Sequence, residues 1–260
     1  MSRTDDIARI AEALDAAGEA LKPFTPGEIA YRVKEARGDP VTEADHAVDE
    51  RLRRLLPRDG EAWLSEETAD DLRRLDATRV WVVDPIDGTR EFVEGIPEWC
   101  VSIGLVEDGR PVAGGIFNPA TGETVLGAVG EGVTYNGAAA GVRDPEGLDG
   151  LTVLASRSET GRGEWARYDG APFAVRPCGS VAYKMGLVAG GQADATWTLK
   201  PKSEWDVAAG AALVLAGGGA VSLADGSAPP FNQRRPRFSN FVAAGPRVAA
   251  TLIDQWLGPV

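Results

Sequence analysis

The sequence predicts a mixed protein of helices and strands, α+β in its first half and α/β in its second. Three observations predict it: an amphipathic helical run opens the chain, apolar strand-like runs around an Asp-Gly pair fill the middle, and helix, strand and helix patterns alternate from Ser180 to Ala216. In chain order, Ile7, Ile10, Ala11, Leu14, Ala17 and Leu21 recur at helical spacing until Pro23 and Pro26 stop the run. A second helix starts at Thr42, carries Ala44, Val48, Leu52 and Leu55 on one face, and ends near Pro57. Arg79-Val80-Trp81-Val82-Val83 reads as a buried strand running into Asp84-Pro85, which puts carboxylates at a strand end. Cys100 to Val106 and Pro111 to Phe117 flank Glu107-Asp108-Gly109-Arg110, whose Asp-Gly pair signals a hairpin. Glu123 to Val129 extends it into an antiparallel meander, and Leu151 to Ala155 and Phe173 to Arg176 read as later strands. The Gly/Asp/Pro-rich stretch from Gly137 to Gly150 is the best boundary, dividing the chain into 1–147, with the antiparallel sheet and most acidic candidates, and 148–260.

Composition narrows the function. The 260 residues are 43% hydrophobic and 25% charged, as expected of a soluble globular protein with a substantial core. No apolar run reaches membrane-spanning length and the N-terminus lacks a signal-peptide layout, so the expectation is a cytoplasmic protein with no membrane partner. Cys100 and Cys178 have no metal-binding spacing and read as free thiols. A net charge of -12, from 39 acidic against 27 basic residues, argues against a nucleic-acid polymer as partner. An anionic substrate would then need help, which a divalent cation held by carboxylates would supply, because the ion reverses the local field.

Asp84-Pro85-Ile86-Asp87-Gly88-Thr89 follows the buried strand and precedes Arg90-Glu91-Phe92-Val93, which reads as a short helix. Alone it reads equally as a proline turn or as a bend, stiffened by Pro85, that aims two carboxylates and the Ile86 carbonyl at one cation. Gly88 and Thr89 then offer N–H groups to a phosphate at a helix start. Two residues separate the aspartates, unlike the Asp-x-Asp-Gly-Thr signature of aspartyl-phosphate phosphatases, so they read as ligands rather than as nucleophile and acid. Other acids have bland readings: Thr42-x-x-Asp45 as a capping box, Glu66-Glu67 as a solvated pair, Asp206 as a helix N-cap. His46, the single histidine, reads as exposed surface.

Taken in order, Lys34, Thr42-x-x-Asp45, Glu66-Glu67, Asp84-x-x-Asp87-Gly-Thr and Trp205-Asp206-x-Ala-Ala-Gly resemble the inositol monophosphatase superfamily over nearly the whole chain. The resemblance implies a layered α-β-α-β-α fold and a magnesium-dependent, lithium-inhibited phosphomonoesterase of small phosphorylated metabolites, using two or three Mg²⁺ ions. On this sequence it implies that Glu66, Asp84, Asp87, Asp206 and the Ile86 carbonyl hold metal, with Asp45 near a weaker position. Glu66 and Thr89 would orient and activate the attacking water. The phosphate would lie against Asp87, Gly88 and Thr89, with Ser180, Lys184 and Lys202 as further substrate contacts. Arg90-Glu91-Phe92, Ser156-Arg157-Ser158, and Leu199 where inositol-specific members tend to place a glutamate, resemble the 3'(2'),5'-bisphosphate nucleotidase (CysQ-type) branch. Phe92 to Pro97 and Asn136-Gly137 are similar to inositol monophosphatases instead. The expectation is a monomeric or homodimeric enzyme that converts adenosine 3',5'-bisphosphate to AMP and phosphate. An inositol-1-monophosphatase or sugar-phosphate phosphatase is the alternative, and a noncatalytic metal or nucleotide sensor is the alternative of another class.

Overall fold

The computed structural model describes residues 2–34 and 40–257. Helix α1 (Arg3–Leu21) starts at a Ser2 capping box and buries Ile10, Leu14, Ala17 and Leu21, the predicted stripe. Strands β1 (Tyr31–Val33) and β2 (Pro40–Thr42), which carry no local pattern, pair antiparallel. Thr42 then caps α2 (Glu43–Leu55), on which His46 is exposed as expected.

Next come β3 (Glu61–Ser65), β4 (Arg79–Asp87), the short helix α3 (Thr89–Glu94), β5 (Cys100–Glu107), β6 (Arg110–Asn118), β7 (Glu123–Ala128), β8 (Gly132–Tyr135) and β9 (Ala138–Ala140). Strands β3 to β9 form one seven-stranded sheet in sequence order. The β3/β4 pair is parallel and the rest form the expected antiparallel meander. At the β5–β6 turn Asp108 and Gly109 have φ of 49° and 70°, the left-handed conformations a tight hairpin requires.

The second half supplies β10 (Thr152–Ser156), α4 (Arg157–Gly161), β11 (Ala174–Cys178), α5 (Val181–Ala189), β12 (Ala195–Trp197), β13 (Lys202–Ser203), α6 (Glu204–Ala216), β14 (Ala220–Ser222), β15 (Arg237–Phe238), β16 (Val242–Ala244) and α7 (Pro246–Leu252). A five-stranded mixed sheet runs β11-β10-β12-β16-β14, while β13 and β15 form a separate ribbon.

Three hydrophobic cores hold five layers together, the central one covering both faces of its helical layer. On β5, Val101, Ile103 and Leu105 face α1 and α2, whereas Val106 belongs to a central core shared with Met185 of α5 and Ala209 and Leu213 of α6. Every residue of α5 is buried, as suits a helix enclosed between two sheets. The third core, with Trp165 stacked on Trp197 at 4.8 Å, lies outside the smaller sheet beneath α7. The resulting order of α1/α2, large sheet, α5/α6, small sheet and α4/α7 is the layered α-β-α-β-α fold.

Two glycines let α6 approach the large sheet closely. A Cβ on Gly114 would lie 2.5 Å from the Ala209 carbonyl oxygen, and one on Gly104 would lie 2.8 Å from the Ala209 nitrogen. The small residues Ala208 and Ala209 complete the contact, which seats the second turn of α6 against β5 and β6. Among the described residues, no helix is long and apolar enough to cross a membrane.

Candidate metal centre

The site begins with an irregularity in β4. Asp84 sits opposite Ser102 and Asp87 opposite Cys100, so three steps on β4 span two on β5. Residues three apart on a regular strand point to opposite faces; a bulge of one extra residue brings the two carboxylates back together. The bend expected at Pro85 is therefore a bulge within a continuing strand. Pairing with β3 has already ended, at Ser65 opposite Val83, so Pro85 removes no ladder hydrogen bond on that side.

Glu66 follows β3, and its N–H donates to the Val83 carbonyl at 3.3 Å. Asp206 arrives from the other half. It occupies the third position of α6 and accepts the Ser203 N–H at 2.8 Å. Ser203 is the N-cap, which corrects the reading of Asp206 as that cap. Carboxylate oxygens of Glu66, Asp84 and Asp206 all lie within 4.8 Å of one another. Asp87 Oδ2 accepts from Ser180 Oγ at 2.6 Å and from the Ala182 N–H at 2.5 Å. Both bonds fall on one oxygen, which leaves the lone pairs of Oδ1 for a ligand.

Electrostatics shows what these acids lack. Burial raises the Asp84 carboxyl well above the usual carboxylate range, and Glu66, Asp87 and Asp206 raise it further. Asp87 is also raised by burial, against the hydrogen bonds from Ser180 and Ala182. Asp206 is pushed up to about 7, by loss of solvent first and then by Asp87 and Glu66. A cation relieves all three at once, and an all-oxygen donor set fits a hard divalent ion.

Around this cluster the bland readings and the site contacts coexist. Asp45 Oδ2 accepts the Thr42 N–H at 2.7 Å, as a capping box requires, while Oδ1 lies 3.1 Å from Thr89 Oγ1. That hydroxyl also lies 2.9 Å from the Ile86 carbonyl. Burial raises the Asp45 carboxyl, and the Thr42 and Thr89 hydrogen bonds pull against it. Glu66 and Glu67 are not a solvated pair, because Lys34 Nζ bridges them. Burial opposes the Lys34 charge, but the two glutamates outweigh it and raise its pKa. Gly88, at φ 93°, has no room for a side chain: a Cβ would lie 3.1 Å from the Glu98 carbonyl oxygen.

A cleft of about 450 Å³ opens over the cluster. Its floor includes Glu66, Ile86, Asp87, Gly88, Thr89 and Asp206, and Ser180, Lys184, Lys202 and Arg237 stand in its walls. The predicted substrate residues differ in what they offer. Ser180 is committed to Asp87, from a strained backbone at φ 52°. Lys184 is buried, and its Nζ donates to the carbonyls of Cys178, Gly179 and Ser180 at 3.2, 3.4 and 2.5 Å. Lys202 is half-buried and borders the cleft. Lys200 pairs with Glu164 at 3.3 Å outside it, and Leu199 lines a separate cavity beside Tyr168 and Trp197. Sequence reasoning missed Arg237, whose signal was the Arg-Arg-Pro-Arg run in an acidic chain, and it did not place the buried Glu91 on the cleft wall.

The chain matches the inositol monophosphatase family over residues 3–256. The protein named inositol monophosphatase 3 of Solanum lycopersicum is 34% identical over 250 residues, covering 87% of this chain and 91% of that one. The 3'-phosphoadenosine 5'-phosphate phosphatase of Mycobacterium leprae is 35% identical over 261 residues, covering 95% and 92%. The solved structure of CysQ from Bacteroides thetaiotaomicron, a bacterial member of the inositol monophosphatase family, aligns with a TM-score of 0.74 at 26% identity, over 93% of this chain and 97% of that one. The family match runs through every element that contributes to the acid cluster, from Glu66 to Asp206. This chain therefore belongs to the inositol monophosphatase family and is a phosphatase of that family.

Proposed function

We propose that this phosphatase is magnesium-dependent and acts on nucleoside 3',5'-bisphosphates, converting adenosine 3',5'-bisphosphate to AMP and phosphate. The observation that carries this reading is the convergence of Glu66, Asp84 and Asp206 within 4.8 Å, beneath a cleft whose wall includes Lys202 and Arg237. The floor demands cations and the wall attracts anions. Glu66, Asp84, Asp87, Asp206 and the Ile86 carbonyl would hold the ions. Bound Mg²⁺ supplies Lewis acidity and positive charge at a phosphoryl group. Gly88 and Thr89 seat the phosphate at the start of α3. Glu66 and Thr89 orient a water for in-line attack, and Asp45 fixes the Thr89 hydroxyl from behind. The water oxygen forms the new P–O bond as the ester P–O bond breaks, and no side chain becomes phosphorylated.

The Mycobacterium leprae phosphatase, 35% identical, supports the nucleotide. Leu199, turned into another cavity, brings no carboxylate to the cleft for ring hydroxyls. The tomato inositol monophosphatase 3, 34% identical, favours inositol 1-phosphate or a related sugar phosphate as the second reading. The noncatalytic sensor reading loses ground because Glu66 and Thr89 both line the cleft. The test is phosphate release from the bisphosphate and from inositol 1-phosphate, with Mg²⁺, with EDTA and with added Li⁺. The bisphosphate should turn over faster, only with Mg²⁺, and Li⁺ should inhibit. Faster turnover of inositol 1-phosphate overturns the substrate, and turnover in EDTA overturns the metal.

A further inference from the structure

The segment before β15 is fastened to the first turn of α6. Glu204, fully buried, accepts the N–H groups of Asn232 and Gln233 at 2.8 Å each, one on each carboxylate oxygen. Its own N–H donates to the Pro236 carbonyl at 2.9 Å. Phe238 is buried against Phe231, with ring centroids 5.1 Å apart. Strand β15 then pairs with β13, which places Arg237 opposite Ser203, the cap of the helix that carries Asp206. The backbone of Arg237 is thereby held in fixed relation to the acid cluster.

The side chain of Arg237 is exposed, borders the cleft, and closes on no carboxylate among the described residues. Other arginines of this acidic chain do close on acids: Arg9 on Glu61, Arg74 on Asp70, Arg157 on Glu98. Lys202, on the partner strand, borders the same cleft. Lys202 is half-buried where Arg237 is exposed, so the lysine stands deeper in the cleft and the arginine nearer its rim. Two cations on an anchored ribbon, one deeper and one at the rim, match a substrate with a phosphate beyond the one being cleaved.

We propose that Arg237, with Lys202, forms a second anionic subsite that selects substrates carrying a second phosphate. The guanidinium presents a planar fork suited to two phosphate oxygens, which a lysine cannot reproduce. This inference rests on the phosphatase reading above and assigns its specificity to named residues. The experiment measures kcat/KM for adenosine 3',5'-bisphosphate and for inositol 1-phosphate with Mg²⁺, in the unaltered protein, Arg237→Ala, Arg237→Lys and Lys200→Ala. Loss of one charge-assisted contact should lower the ratio of the two values roughly tenfold or more in Arg237→Ala, through KM of the bisphosphate. Arg237→Lys should restore part of the ratio, and Lys200→Ala, which removes the same charge outside the cleft, should leave it unchanged. Equal losses on both substrates, or an equal fall of the ratio in Lys200→Ala, overturn the subsite while leaving the phosphatase reading intact. Failure of the unaltered protein to hydrolyse either substrate overturns both.

Discussion

Asp206 carries two burdens at once: it closes a helix cap through the Ser203 N–H and it shares a confined space with Glu66 and Asp84. Its pKa of about 7 in the folded protein lies above the ordinary aspartate value of about 3.9, so the native state holds more protons than the unfolded chain between these limits. Without a divalent cation, stability should therefore fall as pH rises from about 4 to about 7. Urea midpoints in EDTA across that window check this, and a midpoint rising with pH would contradict it. Saturating Mg²⁺ should flatten the slope by favouring the ionised form. Asp206→Asn should lower kcat by at least about 100-fold, more than loss of a residue that only supports a ligand, while raising the midpoint in EDTA above about pH 7, where Asp206 is ionised, by removing one repelling charge. At this scale the sequence was legible where the chemistry is local. Asp84 and Asp87 stand out by spacing, but Asp45, Glu66 and Asp206 each satisfy an ordinary rule of capping or solvation, and only the rest of the set gives them another meaning. Arg237 was missed because nothing local says which way an arginine run faces.

Helices α1 and α2 and strands β4 to β7 were readable because each carries its own periodicity or turn. Strands β1, β2, β14 and β16 have three residues each and exist through distant partners, so no local pattern announces them. The bulge in β4 is invisible for a different reason: Asp-Pro-Ile-Asp-Gly spells a turn, and only pairing with Ser102 and Cys100 keeps it in the sheet. The contact of α6 with the sheet makes a prediction that belongs to the element. In Gly114→Ala the new Cβ would lie 2.5 Å from the Ala209 carbonyl oxygen, so the helix must shift. Overpacking of this kind should cost about 1–3 kcal/mol and should also lower kcat, because Asp206 moves with the helix. Gly161→Ala, where a Cβ meets nothing within 4 Å, is the control for urea denaturation and phosphate release. Equal stability of the two variants would show that the sheet tolerates a displaced α6.

Over the whole molecule, the two larger sheets lie on either side of Gly137 to Gly150, and each side keeps one core of its own, but the central core belongs to both. Val80, Val82 and Val125 of the first half share the central core with Met185, Ala209 and Leu213 of the second. Unfolding should be a single cooperative transition, with far-ultraviolet circular dichroism and tryptophan fluorescence coinciding along the urea axis; two separated transitions would show halves that stand alone. The acid cluster straddles the same divide, since Glu66 and Asp84 come from one side and Asp206 from the other. A cation gripping Glu66 and Asp206 would close a loop of roughly 140 residues, and a link across so long a loop removes much of the freedom of the open chain. Such a cation would then act as a removable staple, and the protein's lifetime against a protease would shorten as the free divalent ion around it is withdrawn.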